Sequence, residues 1–325
     1  MECYKIVEFV KASREERKQY YTEEWDMNNV PNFILTTLKD REFGFDHNGN
    51  GPRDRYNGFN SPDDLKNFLQ KRCPFATYTS VSLYENPKKR KNWIKAELVF
   101  DIDAKDLPVK NCDCKAREVC ESCLGDSKEL LMLTADVLKG DLGLKKINFI
   151  YSGRGYHIRV LDEGIMQENS VVRGEILDYV SGSVLPEGIQ WKWNNGFPLI
   201  FKKRAIKFMK MLSEEKIIEI KNINGTKASK VKEKMGQIIE EFENGDLSTL
   251  KKILKNKGTE SFLENLRIYN ASILDGKVTI DVKRILRLPS SLHSAVSMKC
   301  MEVKKIEKFN PLKDAVPKFV KERNI

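Results

Sequence analysis

Polar and apolar residues alternate with a period of two through Ala96-Glu97-Leu98-Val99-Phe100-Asp101-Ile102-Asp103. This is the period of a β-strand with two unlike faces. Leu98, Phe100 and Ile102 fall on one face; Glu97, Val99, Asp101 and Asp103 fall on the other. A strand-like stretch at 76–84 comes shortly before it, followed by a basic connection at 87–91. Two more strands are predicted at 147–151 and 156–160, one tight turn apart. A helical period governs other segments. Residues 11–40 read as helical, with Ser13-Arg14-Glu15-Glu16 as a capping box. Ser61-Pro62-Asp63-Asp64 opens a helix through Leu65, Phe68 and Leu69. Helices are also predicted at 129–144, with Leu130, Leu133, Val137 and Leu138 inward, and at 170–180. Asp46-His47-Asn48-Gly49-Asn50-Gly51-Pro52 is turn sequence.

Near residue 200 the pattern changes. Lys and Glu dominate, and Ile206, Met209, Leu212, Ile217 and Ile218 keep helical spacing. Gly225 and Gly245-Asp246 divide this stretch into about three helices. Strand pattern returns at Val278-Thr279-Ile280-Asp281. The organisation read from this is an α/β body formed by 1–200 and 270–325, with an inserted helical subdomain at 201–269.

Hydrophobic residues make up 40% of the 325 positions, which suits a globular chain with a sizeable core. No apolar run approaches the length of a membrane span, and the first residues lack the apolar stretch of a secretory signal. The expectation is an intracellular, cytoplasmic protein with no membrane partner. The net charge of +10 favours a polyanionic partner, nucleic acid before membrane.

Two aspartates two residues apart on a strand point the same way, roughly 7 Å apart. Like charges so placed suit a hard cation, Mg²⁺ or Mn²⁺, that takes carboxylate oxygens and leaves positions for phosphate; the plain alternative is a strand end with solvated carboxylates. Four of the seven cysteines, Cys112, Cys114, Cys120 and Cys123, lie within one short loop. In a reducing compartment such a cluster points to metal. Four thiolates with no histidine suit structural, tetrahedral Zn²⁺. A redox Cys-x-x-Cys pair and an iron–sulfur cluster are the alternatives. Cys3, Cys73 and Cys300 read as isolated thiols.

Tyr151-Ser152-Gly153-Arg154-Gly155-Tyr156-His157 joins two strands. Its glycines allow close backbone approach, and the Ser152 hydroxyl, exposed amides and Arg154 make either a phosphate cradle or an ordinary hairpin turn. His157 and Arg159 share a face. A third segment, Asp281 through Arg284, Arg287 and Leu288-Pro289-Ser290-Ser291-Leu292-His293, adds another aspartate, placed by the pattern at a strand end, and more cations. Three aspartates and two cationic segments are the parts that nucleotidyl transfer requires.

In this order, these motifs resemble the small catalytic subunit of archaeal and eukaryotic DNA primase, the archaeal branch in overall length. Arg41-Glu42-Phe43-Gly44-Phe45, Arg55-Tyr56-Asn57-Gly58-Phe59 and Phe309-Asn310-Pro311 extend the match over about residues 19–317. The resemblance implies a primase-type α/β catalytic core with a mixed sheet flanked by helices and a zinc knuckle. It implies template-directed synthesis of short RNA or mixed primers on single-stranded DNA from nucleoside triphosphates. Asp101, Asp103 and Asp281 would hold two Mg²⁺ or Mn²⁺ ions. Ser152, Arg154, His157, Arg287 and His293 would contact the nucleotide, with Glu42 and Arg55 lining the site. Cys112, Cys114, Cys120 and Cys123 would bind structural Zn²⁺, and a primase large subunit would be the partner. The chain has one arginine in the glycine turn where some members have two. It has Ala295 where many have lysine. A metal-dependent glycosyltransferase and a zinc-containing nucleic-acid-binding protein are the competing classes; the distant Asp281 and the cysteine knuckle argue against the first.

Overall fold

The computed structural model describes residues 10–110, 112, 114 and 120–323. Cys3 lies outside the described residues. Ten strands are present among the described residues: β1 (Phe43–Asp46), β2 (Asp54–Asn57), β3 (Ala76–Ser80), β4 (Ser82–Asn86), β5 (Lys91–Ala96), β6 (Leu98–Asp103), β7 (Ile147–Tyr151), β8 (Gly155–Val160), β9 (Ile285–Arg287) and β10 (Met301–Glu302). One sheet runs β2-β1-β3-β9 and a second β10-β7-β8-β6, while β4 and β5 form a hairpin.

Every ladder among these strands is antiparallel, which corrects the expected mixed sheet. Short links such as the turn between β7 and β8 join antiparallel neighbours. The long excursion after β6 returns the chain beside it in the opposite sense. Alternation along a strand reports its faces but not the direction of its neighbours. The predicted 76–84 strand divides at Val81 into β3 and β4, which belong to different sheets.

β6 carries out its two-faced pattern. Leu98, Phe100 and Ile102 are fully buried in one core with Leu130, Leu131 and Leu138 of the Glu121–Gly140 helix. Val99, on the other face, packs with Val81, Val278 and Leu286. The covering helix begins at Glu121 rather than at 129 because Cys120 caps it, its Sγ accepting from the Cys123 amide.

The Ser13 and Ser61 capping boxes both form. Beyond Gln19 the first helical segment breaks into a π turn at Tyr20–Glu24 and short helical pieces up to Asp40. One element is corrected outright: Val278-Thr279-Ile280 is not a strand but part of the Gly276–Ile280 helix. Asp275 caps it, accepting from Lys277 N, and the Asp275 amide donates to Asp101 O. Val278 and Thr279 are thereby tucked under β6, and this burial overrides their β-branched preference.

Helices also span Gly196–Met211, Glu214–Ile218, Gly225–Glu233, Met235–Glu243 and Ser248–Ala271. Phe201, Phe208, Phe242 and Phe262 belong to the same continuous core as Leu98. Arg204 is buried and ties these helices to their neighbours, donating to Val180 O at 3.1 Å and Thr134 Oγ1 at 2.7 Å.

Candidate active site and metal centre

The β6–β8 ladder sets the site. Asp101 lies opposite His157, and Asp103 opposite Gly155. His157 Nε2 is 3.2 Å from Asp101 Oδ1, and Arg154 Nη2 is 3.1 Å from Asp103 Oδ2. Each carboxylate thus has its own cationic or potentially cationic partner, which offsets their mutual repulsion. The two carboxylates keep 22% and 28% of their surface, enough to meet a ligand. Gly155 permits the ladder to close: a Cβ there would collide with the Ile102 carbonyl and lie 2.9 Å from Asp103 Cα.

The glycine turn and the third segment meet. Arg287 Nη1 donates to the Ser152 carbonyl at 2.6 Å, and the Ser152 amide donates to Gly155 O at 2.9 Å. His293 is buried, and its Nδ1 accepts from the Ala295 amide at 3.1 Å. Burial holds the His293 imidazole well below its usual pKa, and the nearby charges of Arg287 and Arg154 push the same way. Arg154 and His157 therefore meet the two aspartates directly, and Ser152, Arg287 and His293 join them through the glycine turn. Asp281 follows the helix packed against β6. Its carboxylate is half-exposed, accepts from Lys283 N at 2.9 Å and pairs with Arg284 Nε at 3.4 Å. The three aspartates do not come within 4.8 Å of one another as a group.

Two clusters were not read as units from the sequence, although the resemblance places Glu42 and Arg55 at the site. Glu42 is fully buried and binds Arg55 Nε at 2.7 Å and Arg90 Nε at 2.6 Å. Burial raises its carboxyl pKa despite Arg90 and the Tyr56 amide. Arg90 was visible only as one cation in a basic connection. The second cluster is Glu97, paired at 2.7 Å with Arg41 and 3.4 Å with Arg159, all three buried. Arg173 adds hydrogen bonds to the Ala96 and Glu97 carbonyls, fixing the entry to β6. Strand alternation places Glu97 on the aspartate face, but its partners are distant in sequence.

The sulfurs of Cys112, Cys114, Cys120 and Cys123 lie within 4.8 Å of one another. Cys120 and Cys123 Sγ are 3.6 Å apart, close to the roughly 3.8 Å edge of a tetrahedron with 2.3 Å metal–sulfur bonds. Burial pushes the Cys123 thiol up to about 12, whereas hydrogen bonds from its neighbours draw the Cys120 thiol down against burial. Cys300 is buried and Cys73 half-buried, both apart from this group.

Comparison with known proteins gives a consistent answer. A family model described as DNA primase small subunit matches residues 100–304. The DNA primase small subunit PriS of Methanobrevibacter smithii is 45% identical, covering 97% of this chain and 99% of that protein. The PriS proteins of Methanothermobacter thermautotrophicus and Thermococcus sibiricus are 45% and 42% identical over 97% and 96% of the chain, and 98% and 94% of their own lengths. The polymerase domain of Mycobacterium tuberculosis ligase D in complex with DNA covers 54% of the chain and 66% of its own, at 16% identity and a TM-score of 0.33, too low to bear on the fold. The chain belongs to the DNA primase small subunit family and is a catalytic primase subunit, a DNA-directed nucleotidyltransferase.

Proposed function

We propose that this chain synthesises short RNA or mixed primers on single-stranded DNA, with Asp101, Asp103 and Asp281 holding two Mg²⁺ or Mn²⁺ ions. The observation that carries the reading is the closure of the glycine turn over β6, which sets Arg154 and His157 against the two aspartates. The donor set is all carboxylate oxygen, the chemistry of hard cations. Bound there, such ions stabilise charge on a transferring phosphoryl group and lower the pKa of an attacking 3′-hydroxyl. The protein's own groups do the rest. Ser152 and Arg154 bind the triphosphate, joined by His157, Arg287 and His293. His293, kept neutral by burial and by the arginines, has Nδ1 taken up by the Ala295 amide and so donates one hydrogen bond from Nε2 without adding charge. The 3′-hydroxyl gives up its proton to water, its oxygen joins the α-phosphorus as the bond to pyrophosphate breaks, and the arginines receive the departing charge.

Zn²⁺ suits the four cysteines, as a structural ion that ties the loop after β6 to the helix beneath it. The division into a body of 1–200 and 270–325 and an inserted helical subdomain of 201–269 remains the proposed organisation, with Phe201 and Arg204 seated in the shared core. The partners are the single-stranded template, nucleoside triphosphates and a primase large subunit, in the cytoplasm of a prokaryotic cell. Among the described residues no helix is long and apolar enough to cross a membrane.

Primer synthesis on single-stranded DNA with labelled nucleoside triphosphates tests the reading, comparing the chain with its Asp101→Asn/Asp103→Asn variant, with and without the large subunit. Template-dependent products from the wild type alone support it. Equal product from both would remove the aspartates from the catalytic centre.

A further inference from the structure

The β4–β5 hairpin and the segment around β2 build one basic, aromatic surface beside the candidate site. The loop that closes the hairpin reads Pro87-Lys88-Lys89-Arg90-Lys91, four cations without an acid. It packs on the β2 segment, since a Cβ on Gly58 would lie 3.4 Å from Lys88 Cε and 3.6 Å from Pro87 Cγ. Tyr56 is 52% exposed, with the Arg90 guanidinium 4.9 Å from its ring centroid and Arg55 at 5.8 Å. Glu42 grips both arginines from beneath. Trp93 is 42% exposed, and its Nε1 donates to Ser82 Oγ at 3.0 Å. Ser82 Oγ in turn donates to the Val282 carbonyl, next to Asp281. Tyr56 and Arg90 both hold left-handed backbone, φ 66° and 48°. Such conformations are disfavoured for residues of this size and gather at functional sites.

Folding alone does not account for an exposed Tyr56 ring flanked by two guanidiniums, or for an exposed Trp93 on the strand that follows the cationic loop. Glu42 is taken up by the arginines and Asp54 lies 2.8 Å from His47 Nε2, while Glu85 accepts from the neutral Asn92 amide and is outnumbered by the loop's four cations. Exposed rings among cations are the recognition chemistry of single-stranded nucleic acid, in which bases stack and phosphates are neutralised. A free nucleotide brings one base, whereas this surface offers two rings and a run of lysines, so an extended strand fits it better.

We infer that Tyr56, Trp93 and the 87–91 loop form a platform for the single-stranded template, with Tyr56 and Trp93 stacking on bases and Lys88, Lys89 and Lys91 on phosphates. This deepens the proposed function and rests on it.

The test uses the full chain and a fluorescent oligo-deoxythymidylate, with affinity read by anisotropy across a salt series. Primer synthesis is measured in parallel. Tyr56→Ala/Trp93→Ala should weaken binding roughly tenfold or more, since a stacked base contributes about 1–3 kcal/mol. Tyr56→Phe/Trp93→Phe should restore it. Lys88→Gln/Lys89→Gln/Lys91→Gln should lower the slope of log K against log salt by about 2, at roughly 0.7 per phosphate on a single strand. Variants that match the wild type in affinity and salt slope, while the wild type makes primers, would overturn the platform. So would a raised KM for nucleoside triphosphates with strand affinity unchanged, which would assign the surface to the incoming nucleotide. A wild type that neither binds the strand nor makes primers, even with the large subunit, would overturn the functional reading itself.

Discussion

Gly153 presses directly on His293: a Cβ built on the glycine would lie 2.5 Å from the histidine's own Cβ, and Gly153 has φ 102°. This contact joins two segments 140 positions apart into one wall of the candidate site, and no side chain larger than hydrogen fits between them.

Gly153→Ala should therefore lose on two counts, the left-handed backbone and the collision with His293. We expect a stability loss of about 1–3 kcal/mol. The loss of nucleotide incorporation should exceed what the lowered melting temperature explains. Thermal unfolding and primer synthesis measured on the same preparation check this; wild-type incorporation would show that the turn and His293 act independently.

Asp101→Asn and Asp103→Asn should each cut primer synthesis by at least about 100-fold, because bound ions supply several kcal/mol of transition-state stabilisation. Both side chains are partly exposed at the strand's end, so circular dichroism and melting temperature should barely move. A fold lost along with activity would mean that the pairs with Arg154 and His157 are structural.

His293 makes stability depend on pH, and the sign follows from its burial. Its folded pKa lies well below the usual 6.5, so the unfolded chain binds the proton more readily. The stability tied to neutral His293 is fully present above about pH 6.5. It is lost as pH falls from there towards the depressed folded value, by up to about 1.4 kcal/mol per pH unit. His293→Gln should flatten the urea-unfolding profile between pH 6.5 and 5. An unchanged slope would place the responsible group elsewhere.

The cysteine knuckle should carry one zinc per chain, measured by elemental analysis. Cys120→Ser/Cys123→Ser should abolish it and lower the melting temperature, since metal-site binding energy is folding energy. Activity should fall indirectly, through the loop after β6. A zinc-free double variant with full activity and an unchanged melting temperature would remove the structural role.

The parts of the site that were legible in the sequence are those written locally. Alternation in β6 places Leu98, Phe100 and Ile102 in the core and the aspartates apart from them, as the structure has it. The glycines at 153 and 155 mark a turn that needs close approach, and both have it. What stayed hidden depends on distant partners. Val278-Thr279-Ile280 carries a strand's composition but is helical, because the Asp275 cap and the pocket under β6 decide the outcome. Arg90 looked like one more lysine-loop cation until Glu42, 48 positions away, gave it a fixed place. Antiparallel pairing throughout was likewise not local information.

The buried Arg41–Glu97–Arg159 group has a consequence for how β6 finds its partner. A slip of one residue against β8 would turn Glu97, Asp101 and Asp103 towards the leucines of the Glu121–Gly140 helix and hand Leu98, Phe100 and Ile102 to the arginines. An unpaired carboxylate in that apolar layer costs several kcal/mol, so the misaligned chain is rejected. One charged end of the strand thus proofreads the alignment on which the chemistry at the other end depends, and a variant that neutralises Glu97 would be expected to misplace Asp101 without touching it.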